Sequence, residues 1–320
     1  MNDINITKET IISLSLYKEK MKIYVLGCAG MLGNALYKYF TNKQNYVFAT
    51  DINLIDKWLY YRDVKDYEGM LRDVTIFKPN VIINLAAMTD LEECELNARE
   101  SMEVNAIGSA NCAALARLQN VPYVYISTAG IFDGSQEEYS EEDIPNPLSW
   151  YAKSKYQGEL FAETAPKHII LRCGWQMGGC NADKKFIYKI MKQLKSGVTE
   201  LNVVQDKLGS PTYTIDFTKQ IEKMLQTKSY GIWNAVCQGN ASRYDVAIEL
   251  IKLLNLENTI KVNIVASDFF SETFFAPRPA SEKLITNKIK NSGLYVMRHW
   301  KECLKDYITN NPDYFTLDEK

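Results

Sequence analysis

A tyrosine and a lysine four residues apart are the side chains in this sequence with the clearest capacity for chemistry. Tyr151 and Lys155 fall in the segment YAKSK, and residues at that spacing share one face of a helix. A phenol with a reference pKa of about 10 is a poor proton donor, but a nearby cation stabilises the tyrosinate and lowers that pKa. We interpret Tyr151 as the proton donor to a substrate oxygen and Lys155 as its partner, with a chance surface pairing as the alternative.

The residues before this helix supply a second hydroxyl. Ser127 and Thr128 end an apolar run at 122–127 that reads as a buried strand, and ligands of open α/β sheets bind at strand ends. Thr128 is predicted to hydrogen-bond the substrate carbonyl, unless it only satisfies nearby backbone groups. Asn105 lies within a long helix predicted at 98–118. It either anchors a proton-relay water or makes a structural bond.

Three glycines join the first predicted strand to the first helix of the alternating pattern. Gly27, Gly30 and Gly33 follow the apolar run 22–26 with G-x-x-G-x-x-G spacing, whereas the most familiar dinucleotide fingerprint is G-x-G-x-x-G. Glycine lets the backbone turn tightly and approach a pyrophosphate, and the next helix offers unpaired N–H groups at its N-terminus. We interpret the turn as a dinucleotide site; a tight turn without a ligand is the alternative.

An aspartate at the end of the predicted second strand bears on which dinucleotide binds. Asp51 follows the run 46–50, where a carboxylate accepts hydrogen bonds from the adenosine ribose. It would also repel a 2′-phosphate, so NADH is the preferred cofactor and NADPH the alternative; a simple turn aspartate is the other interpretation. Asp63 and Val64 either flank the adenine or lie in a solvated loop.

Strands and helices alternate through the first half of the chain. This pattern predicts an α/β fold built on a Rossmann-type, doubly wound parallel sheet. Residues 21–172 form the predicted dinucleotide-binding domain, to which residues 201–236 are expected to return. Residues 173–200 and 237–320 would form a smaller, partly interleaved α/β substrate domain, and residues 1–20 an N-terminal extension.

The composition argues against several other classes of protein. A formal net charge of −2 leaves no basic footprint for nucleic acid or an anionic membrane, and no apolar run approaches the ~20 residues of a membrane span. Seven cysteines without a C-x-x-C pair or a recognisable signal peptide indicate reduced thiols in the cytoplasm. Only two histidines are present, which argues against a zinc site or a histidine-based triad. The sequence shows no metal cluster, and a magnesium ion bound by carboxylates at a subunit contact stays open.

An ordered set of motifs resembles the extended short-chain dehydrogenase/reductases. The set comprises the three glycines, NLAA at 84–87, Ser127-Thr128 and the Tyr151/Lys155 pair. Segments IFDG at 131–134, VQDKLGSPTYTID at 204–216 and RPAS at 278–281 narrow the resemblance to the dTDP-4-dehydrorhamnose reductase group. The resemblance spans about residues 21–310. It implies NAD(P)H-dependent reduction of the C4 ketone of a nucleotide-linked 4-keto-6-deoxy sugar.

The resemblance also implies roles for individual residues. The catalytic triad would be Thr128, Tyr151 and Lys155. The residues lining the dinucleotide would be Gly27, Gly30, Met31, Leu32, Gly33, Asp51, Asp63, Val64, Ala86, Ala87, Tyr151 and Lys155. The residues on the substrate side would be Thr89, Asn105, Gln205, Tyr213 and Arg278. A guanidinium suits a diphosphate, so Arg278 is the most attractive of these, with a surface salt bridge as its alternative.

One position departs from the group. Its members usually have Asp-Tyr after Ser-Thr, but this chain has Ala129-Gly130, which leaves the identity of the sugar open. The change also removes the acid that sugar-nucleotide dehydratases tend to carry there. A reductase is the leading hypothesis. An NAD-dependent epimerase or epimerase/reductase, and a non-catalytic regulatory subunit on the same scaffold, are the alternatives; a homodimer is compatible with each.

Overall fold

A seven-stranded parallel sheet forms the centre of the computed structural model, which describes residues 20–317. The strands of the chain are β1 (Lys22–Leu26), β2 (Tyr46–Asp51), β3 (Tyr60–Tyr61), β4 (Val81–Asn84), β5 (Tyr123–Thr128), β6 (His168–Cys173), β7 (Trp175–Met177), β8 (Glu200–Val204), β9 (Leu208–Gly209), β10 (Pro211–Tyr213), β11 (Gly231–Asn234), β12 (Ala241–Ser242), β13 (Lys261–Val265) and β14 (Ser281–Glu282). The central sheet has the order β11-β6-β5-β4-β1-β2-β3. The predicted doubly wound α/β fold is confirmed, while residues 1–19 of the predicted N-terminal extension lie outside the described residues.

Helices cover both faces of this sheet, which is why the middle of each long strand is apolar. In β1, Ile23 and Val25 belong to one apolar cluster and Tyr24 and Leu26 to a second cluster, because alternate side chains of a strand point to opposite faces. The α-helices are Met31–Asn42, Tyr67–Phe77, Leu91–Leu96, Ala98–Met102, Gly108–Gln119, Trp150–Glu163, Phe186–Lys195, Thr214–Thr227, Arg243–Leu253, Asn287–Asn291, Trp300–Thr309 and Pro312–Phe315.

The direction of the strand order changes at β1. This strand pairs with β2 on one side and with β4 on the other, so the chain segments that follow β1 and β4 diverge. Such a switch point leaves a crevice at the carboxyl ends of the strands, where ligands of open α/β sheets bind. The glycine turn, the NLAA segment and Thr128 all follow or end strands at this edge.

The helix predicted at 98–118 is interrupted in the structure. Ala98–Met102 continues through a π turn, Glu103–Ile107, into Gly108–Gln119. The Asn105 side chain pairs with the Met88 backbone at 2.8 and 3.0 Å. The π turn, which adds a residue to one helical turn, therefore coincides with a polar link to the segment after β4.

The remaining strands form three small sheets. β7 pairs with β10, β9 lies between β12 and β14, and β8 pairs with β13. From the region expected to return to the first domain, β11 does join the central sheet beside β6, whereas β8 pairs with β13 outside it. The division into two domains stays a prediction.

Candidate active site

The Trp150–Glu163 helix carries the tyrosine–lysine pair. Ser149 caps this helix by accepting a hydrogen bond from the Ala152 backbone at 3.2 Å. Lys155 is only 4% exposed, and its ammonium lies 4.2 Å from the centre of the Tyr125 ring. The Tyr125 hydroxyl donates to the Lys155 carbonyl at 3.1 Å, so the helix is fixed directly to β5.

Thr128 meets Tyr151 at the end of β5. Its side chain accepts a hydrogen bond from the Gly130 backbone at 3.1 Å and lies near enough to the Tyr151 phenol to lower its pKa. Thr128 is 8% exposed, so the two hydroxyl groups lie in a sheltered position. The structure thus brings together the three side chains that were predicted to form the catalytic triad.

The electrostatics of the pair differ in one respect from the sequence argument. Burial lowers the pKa of the Lys155 ammonium to about 8, against the opposing influence of Cys173 and Glu159. Burial also raises the pKa of Tyr151, as do the nearby Cys173 and Glu282, whereas Thr128 lowers it. The pKa of the phenol is therefore raised and not lowered as the sequence argument expected, so Tyr151 keeps its proton at neutral pH and remains able to donate it.

Two of the three glycines in the turn are required by close backbone packing, and the third faces open space. Gly27 has φ +81°, and a Cβ there would lie 2.4 Å from the Ala86 nitrogen; a Cβ on Gly33 would lie 2.5 Å from the Cys28 Cα. Gly30 is different, because it is exposed and its nearest neighbour would be the Gly27 oxygen at 3.6 Å. Gly30 also begins the Met31–Asn42 helix without a side-chain cap, which leaves open space in front of N–H groups that suit an anion.

The other residues predicted to line the dinucleotide surround this turn or follow the neighbouring strands. Asp51 is 8% exposed and accepts hydrogen bonds from the backbones of Ala29 at 2.9 Å and Asn53 at 2.8 Å. Its carboxylate therefore also braces the turn. The remaining predicted positions are at the helix start (Met31, Leu32), after β4 (Ala86, Ala87) and after β3 (Asp63, Val64).

Val64 is 3% exposed, and its methyl groups fill the space in front of Gly108, where a Cβ would lie 2.6 Å from Val64 Cγ1. Asp63 accepts a hydrogen bond from the Lys65 backbone at 2.9 Å. These contacts explain Asp63 and Val64 as structural residues of a turn that packs against the Gly108–Gln119 helix. A role for them at the adenine stays a prediction.

Two of the predicted substrate residues make contacts with groups from distant segments. The backbone and side-chain oxygens of Thr89 both accept from the Lys185 ammonium at 3.1 Å. Arg278 forms a salt bridge with Glu92 at 2.7 Å, and its guanidinium lies 5.4 Å from the Phe274 ring centre. Arg278 thus forms the kind of salt bridge that was the alternative to a substrate contact, and its role at the diphosphate stays a prediction.

The other three predicted substrate residues are held differently. Asn105 is 1% exposed and its amide also donates to Ser154 at 2.8 Å, so its side chain links the helix of Tyr151 to the π turn. Tyr213 is 3% exposed and packs in the core, with its ring centre 6.1 Å from that of Tyr307. Gln205 is exposed just after β8. The structure does not join Tyr213 or Gln205 to Thr128, Tyr151 or Lys155.

Sequence reasoning missed a group of side chains around Trp175, on the strand that follows β6. The Trp175 indole donates to Glu282 at 2.6 Å, and the Arg243 guanidinium lies 3.7 Å from the Trp175 ring centre. The position of Arg243 could have marked it as a functional candidate. It is the first residue of its helix, where the helix dipole disfavours a cation. Nothing in the local sequence marks Glu282 or Lys185 in this way.

The sequence argues against a zinc site and against a membrane-spanning segment. Within residues 20–317, no group of three or more His, Cys, Asp or Glu side chains could hold a metal ion. No helix in the same range is long and apolar enough to cross a membrane.

A family model decides the relationship of the chain to known proteins. The model of the RmlD substrate-binding domain matches residues 21–312. The chain belongs to the RmlD family. The chain is 32% identical to the dTDP-4-dehydrorhamnose reductase of Aggregatibacter actinomycetemcomitans over 298 residues. The match covers 89% of this chain and 97% of that relative. The resemblance stated from the motifs is confirmed.

Solved structures agree with this assignment. A dTDP-4-dehydrorhamnose reductase from Clostridium acetobutylicum shares 33% identity with a TM-score of 0.82, covering 91% of this chain and 100% of that one. The reductase of Bacillus anthracis, solved in complex with NADP, shares 28% identity with a TM-score of 0.82, covering 91% and 99%. The fold of this RmlD-family chain is therefore that of sugar-nucleotide reductases along nearly its whole length.

Proposed function

We propose that this protein reduces the C4 ketone of a nucleotide-linked 4-keto-6-deoxy sugar with NAD(P)H, the activity for which its dTDP-4-dehydrorhamnose reductase relatives are named. The observation that carries the proposal is that Thr128 and the neighbouring Tyr151 lie at the same carboxyl edge of the parallel sheet as the open, glycine-lined helix N-terminus, with Lys155 one helical turn after Tyr151. Carbonyl reduction with a dinucleotide needs a proton donor, a cation that stabilises the donor after it loses the proton, and a binding site for the dinucleotide.

Each side chain has one task in this reaction. Bound NAD(P)H supplies the hydride that reaches C4. Thr128 donates a hydrogen bond to the ketone oxygen and holds it beside the phenol. Tyr151 transfers its proton to that oxygen, so the product gains a hydrogen on C4 and a hydroxyl in place of the ketone. Lys155 stabilises the tyrosinate and would hold the nicotinamide ribose.

The cofactor would lie along the crevice at the strand ends. The turn from Gly27 to Gly33 and the helix N-terminus would bind the pyrophosphate, and Ala86 and Ala87 would line the path to the nicotinamide. Asp51 would receive the adenosine ribose. Because its charge disfavours a 2′-phosphate, we propose NADH as the preferred cofactor and NADPH as the second.

The substrate diphosphate would face the cations on the other wall of the crevice. Arg243 and Arg278 are close enough that the charge of Arg278 lowers the pKa of Arg243, after the larger effect of burial and against the charge of Glu282. Glu92 pairs with Arg278 at 2.7 Å, so a substrate diphosphate would bind beside that carboxylate or displace it. Guanidinium groups suit a diphosphate, and this pair of arginines therefore supports a nucleotide sugar as substrate.

Two further parts of the proposal concern the whole chain. All seven cysteines are free, which supports a reducing, cytoplasmic location. Exposed apolar side chains on the helices beside the site, including Leu96, Ile107 and Leu160, support a homodimer, which sedimentation of the purified protein would measure.

The experiment is a panel of 4-keto-6-deoxy sugar nucleotides with different bases, each assayed for consumption of NADH and of NADPH. We expect consumption matched by sugar product, with a higher kcat/KM for NADH. Stoichiometric NAD that stays with the protein through gel filtration, without net consumption, would instead make it an epimerase. A protein that binds dinucleotide and turns over no member of the panel would be a regulatory subunit.

A further inference from the structure

Glu282 lies beside the catalytic side chains although it comes from a distant part of the chain. It ends β14, where it pairs with Gly209 of β9. Gly209 leaves room for the Trp175 indole, since a Cβ there would lie 2.4 Å from Trp175 Cε2. The indole in turn donates to Glu282 Oε2 at 2.6 Å. The glycine, the indole and the carboxylate therefore fix one another's positions.

The second oxygen of this carboxylate lies close to Gly130 and to the hydroxyl of Thr128. A Cβ on Gly130 would be 3.3 Å from Glu282 Oε1 and 3.4 Å from Thr128 Oγ1, so both oxygens surround the same small space. The charge of Glu282 also raises the pKa of Tyr151, behind the effects of burial and of Cys173. Glu282 thus occupies the substrate edge that Ala129 and Gly130 leave without polar side chains.

The carboxylate has one oxygen in use and one available. Among residues 20–317, the Trp175 indole is the one hydrogen-bond donor to the Glu282 carboxylate, and it contacts Oε2. Arg243, stacked on the same indole, balances the negative charge without a direct ion pair. An ionised carboxylate only accepts hydrogen bonds, so Oε1 suits a ligand group that donates one.

We propose that Glu282 is a specificity-determining residue that accepts a hydrogen bond from the C3 hydroxyl of the substrate sugar. The inference rests on the proposed function, which places the C4 ketone between Thr128 and Tyr151. In a 4-keto-6-deoxy hexose the neighbours of C4 are C3, which carries a hydroxyl, and C5, which carries the ring oxygen and the methyl group. The C3 hydroxyl is therefore the donor adjacent to the ketone.

The test compares Glu282→Gln with the wild type on two substrates, dTDP-4-dehydrorhamnose and its 3-deoxy analogue. Glutamine can keep its carbonyl on Trp175 but presents an N–H group to the sugar. We expect the wild type to favour the hydroxylated substrate by about 100-fold in kcat/KM, the discrimination that one hydrogen bond to a charged group provides. In the variant this preference should fall at least about tenfold, through loss on the hydroxylated substrate. An unchanged preference would overturn the inference.

A matched control removes a carboxylate from the same region without touching the site. Glu137 is 85% exposed and pairs with Lys283, the residue after Glu282, at 2.7 Å. Glu137→Gln should keep the wild-type preference.

Failure of the proposed function has a separate signature. If the wild type reduces neither substrate, the proposed function falls, and equilibrium binding then decides on Glu282. Calorimetry with dTDP-rhamnose and its 3-deoxy counterpart measures the same preference without turnover. A preference present in the wild type and lost in Glu282→Gln supports the inference, and equal affinities of the wild type for the two ligands contradict it.

Discussion

At the residue scale, the site depends on a cation that is costly to bury. Lys155 is 4% exposed, and its ammonium faces the Tyr125 ring at 4.2 Å. A ring face compensates lost hydration only partly, and the pKa of Lys155 falls to about 8 as a result. The chain therefore keeps this lysine at a cost in stability, which is typical of a functional residue.

We expect Lys155→Met to raise the melting temperature of the cofactor-free protein by a few degrees at pH 7. The unfolded chain holds this proton with a pKa near 10.5 and the folded protein near 8. The folded state is thus penalised below pH 8, and the penalty fades as the pH rises towards 10.5. Thermal unfolding at pH 7 and at pH 10 measures the difference. The same substitution at the exposed Lys153 of this helix provides the control. A lower melting temperature of Lys155→Met than of the wild type at pH 7 would contradict the account.

At the scale of the element, the three glycines of the turn have different roles in folding and in cofactor binding. Gly27 and Gly33 are needed by the fold, because a Cβ at either position would overlap backbone atoms. Gly30 has φ −74° and ψ 173°, a conformation that any residue adopts. Its lack of a side chain serves only the open space before the helix, which is where a pyrophosphate would bind.

We expect Gly30→Ala and Gly27→Ala to separate binding from folding. Gly30→Ala should leave the melting temperature nearly unchanged and weaken NADH binding by about tenfold or more, because a methyl group enters the anion site. Gly27→Ala should lower the melting temperature, because its φ of +81° and the nearby Ala86 backbone do not admit a Cβ. Fluorescence titration and thermal unfolding measure the two effects. Wild-type affinity in Gly30→Ala would remove the turn from the cofactor site.

Elements like these are predictable because their signal is local. The glycine spacing and the tyrosine–lysine pair each depend on a few consecutive residues, and both meet at the predicted edge of the sheet. The π turn at Glu103–Ile107 is not predictable in this way. Asn105 stands out in the sequence as a polar residue of the predicted helix, but its partner, the Met88 backbone, is brought next to it only by the fold.

At the scale of the whole molecule, the substrate side is assembled from segments that are far apart in the chain. Trp175, Arg243 and Glu282 meet only because β7, a later helix and β14 converge beside β5. Their encounter depends on the tertiary path, so sequence reasoning named none of them. Conversely, Tyr213 was chosen by motif and lies in the core beside Tyr307.

The packing of the segment after β7 against the cofactor side of the sheet predicts that both regions change their hydrogen exchange when the cofactor binds. Gly179 packs on the helix start, since a Cβ there would lie 2.9 Å from Met31 Cα, and Lys185 ties the following residues to Thr89. We expect NADH to slow hydrogen exchange in residues 27–33 and in residues 178–186 together. The strand Lys261–Val265, outside the central sheet, should not change. Protection confined to residues 27–33 would show that the second segment takes no part.

The activity of Tyr151→Phe tests the central claim most directly, because this change removes one oxygen atom and leaves the ring. NADH titration and turnover of a 4-keto-6-deoxy sugar nucleotide are measured on the same preparation. We predict NADH affinity within about twofold of the wild type and turnover lower by about 100-fold or more, the usual contribution of a positioned proton donor. A variant that binds NADH and turns over at the wild-type rate would contradict the assignment of the phenol as proton donor.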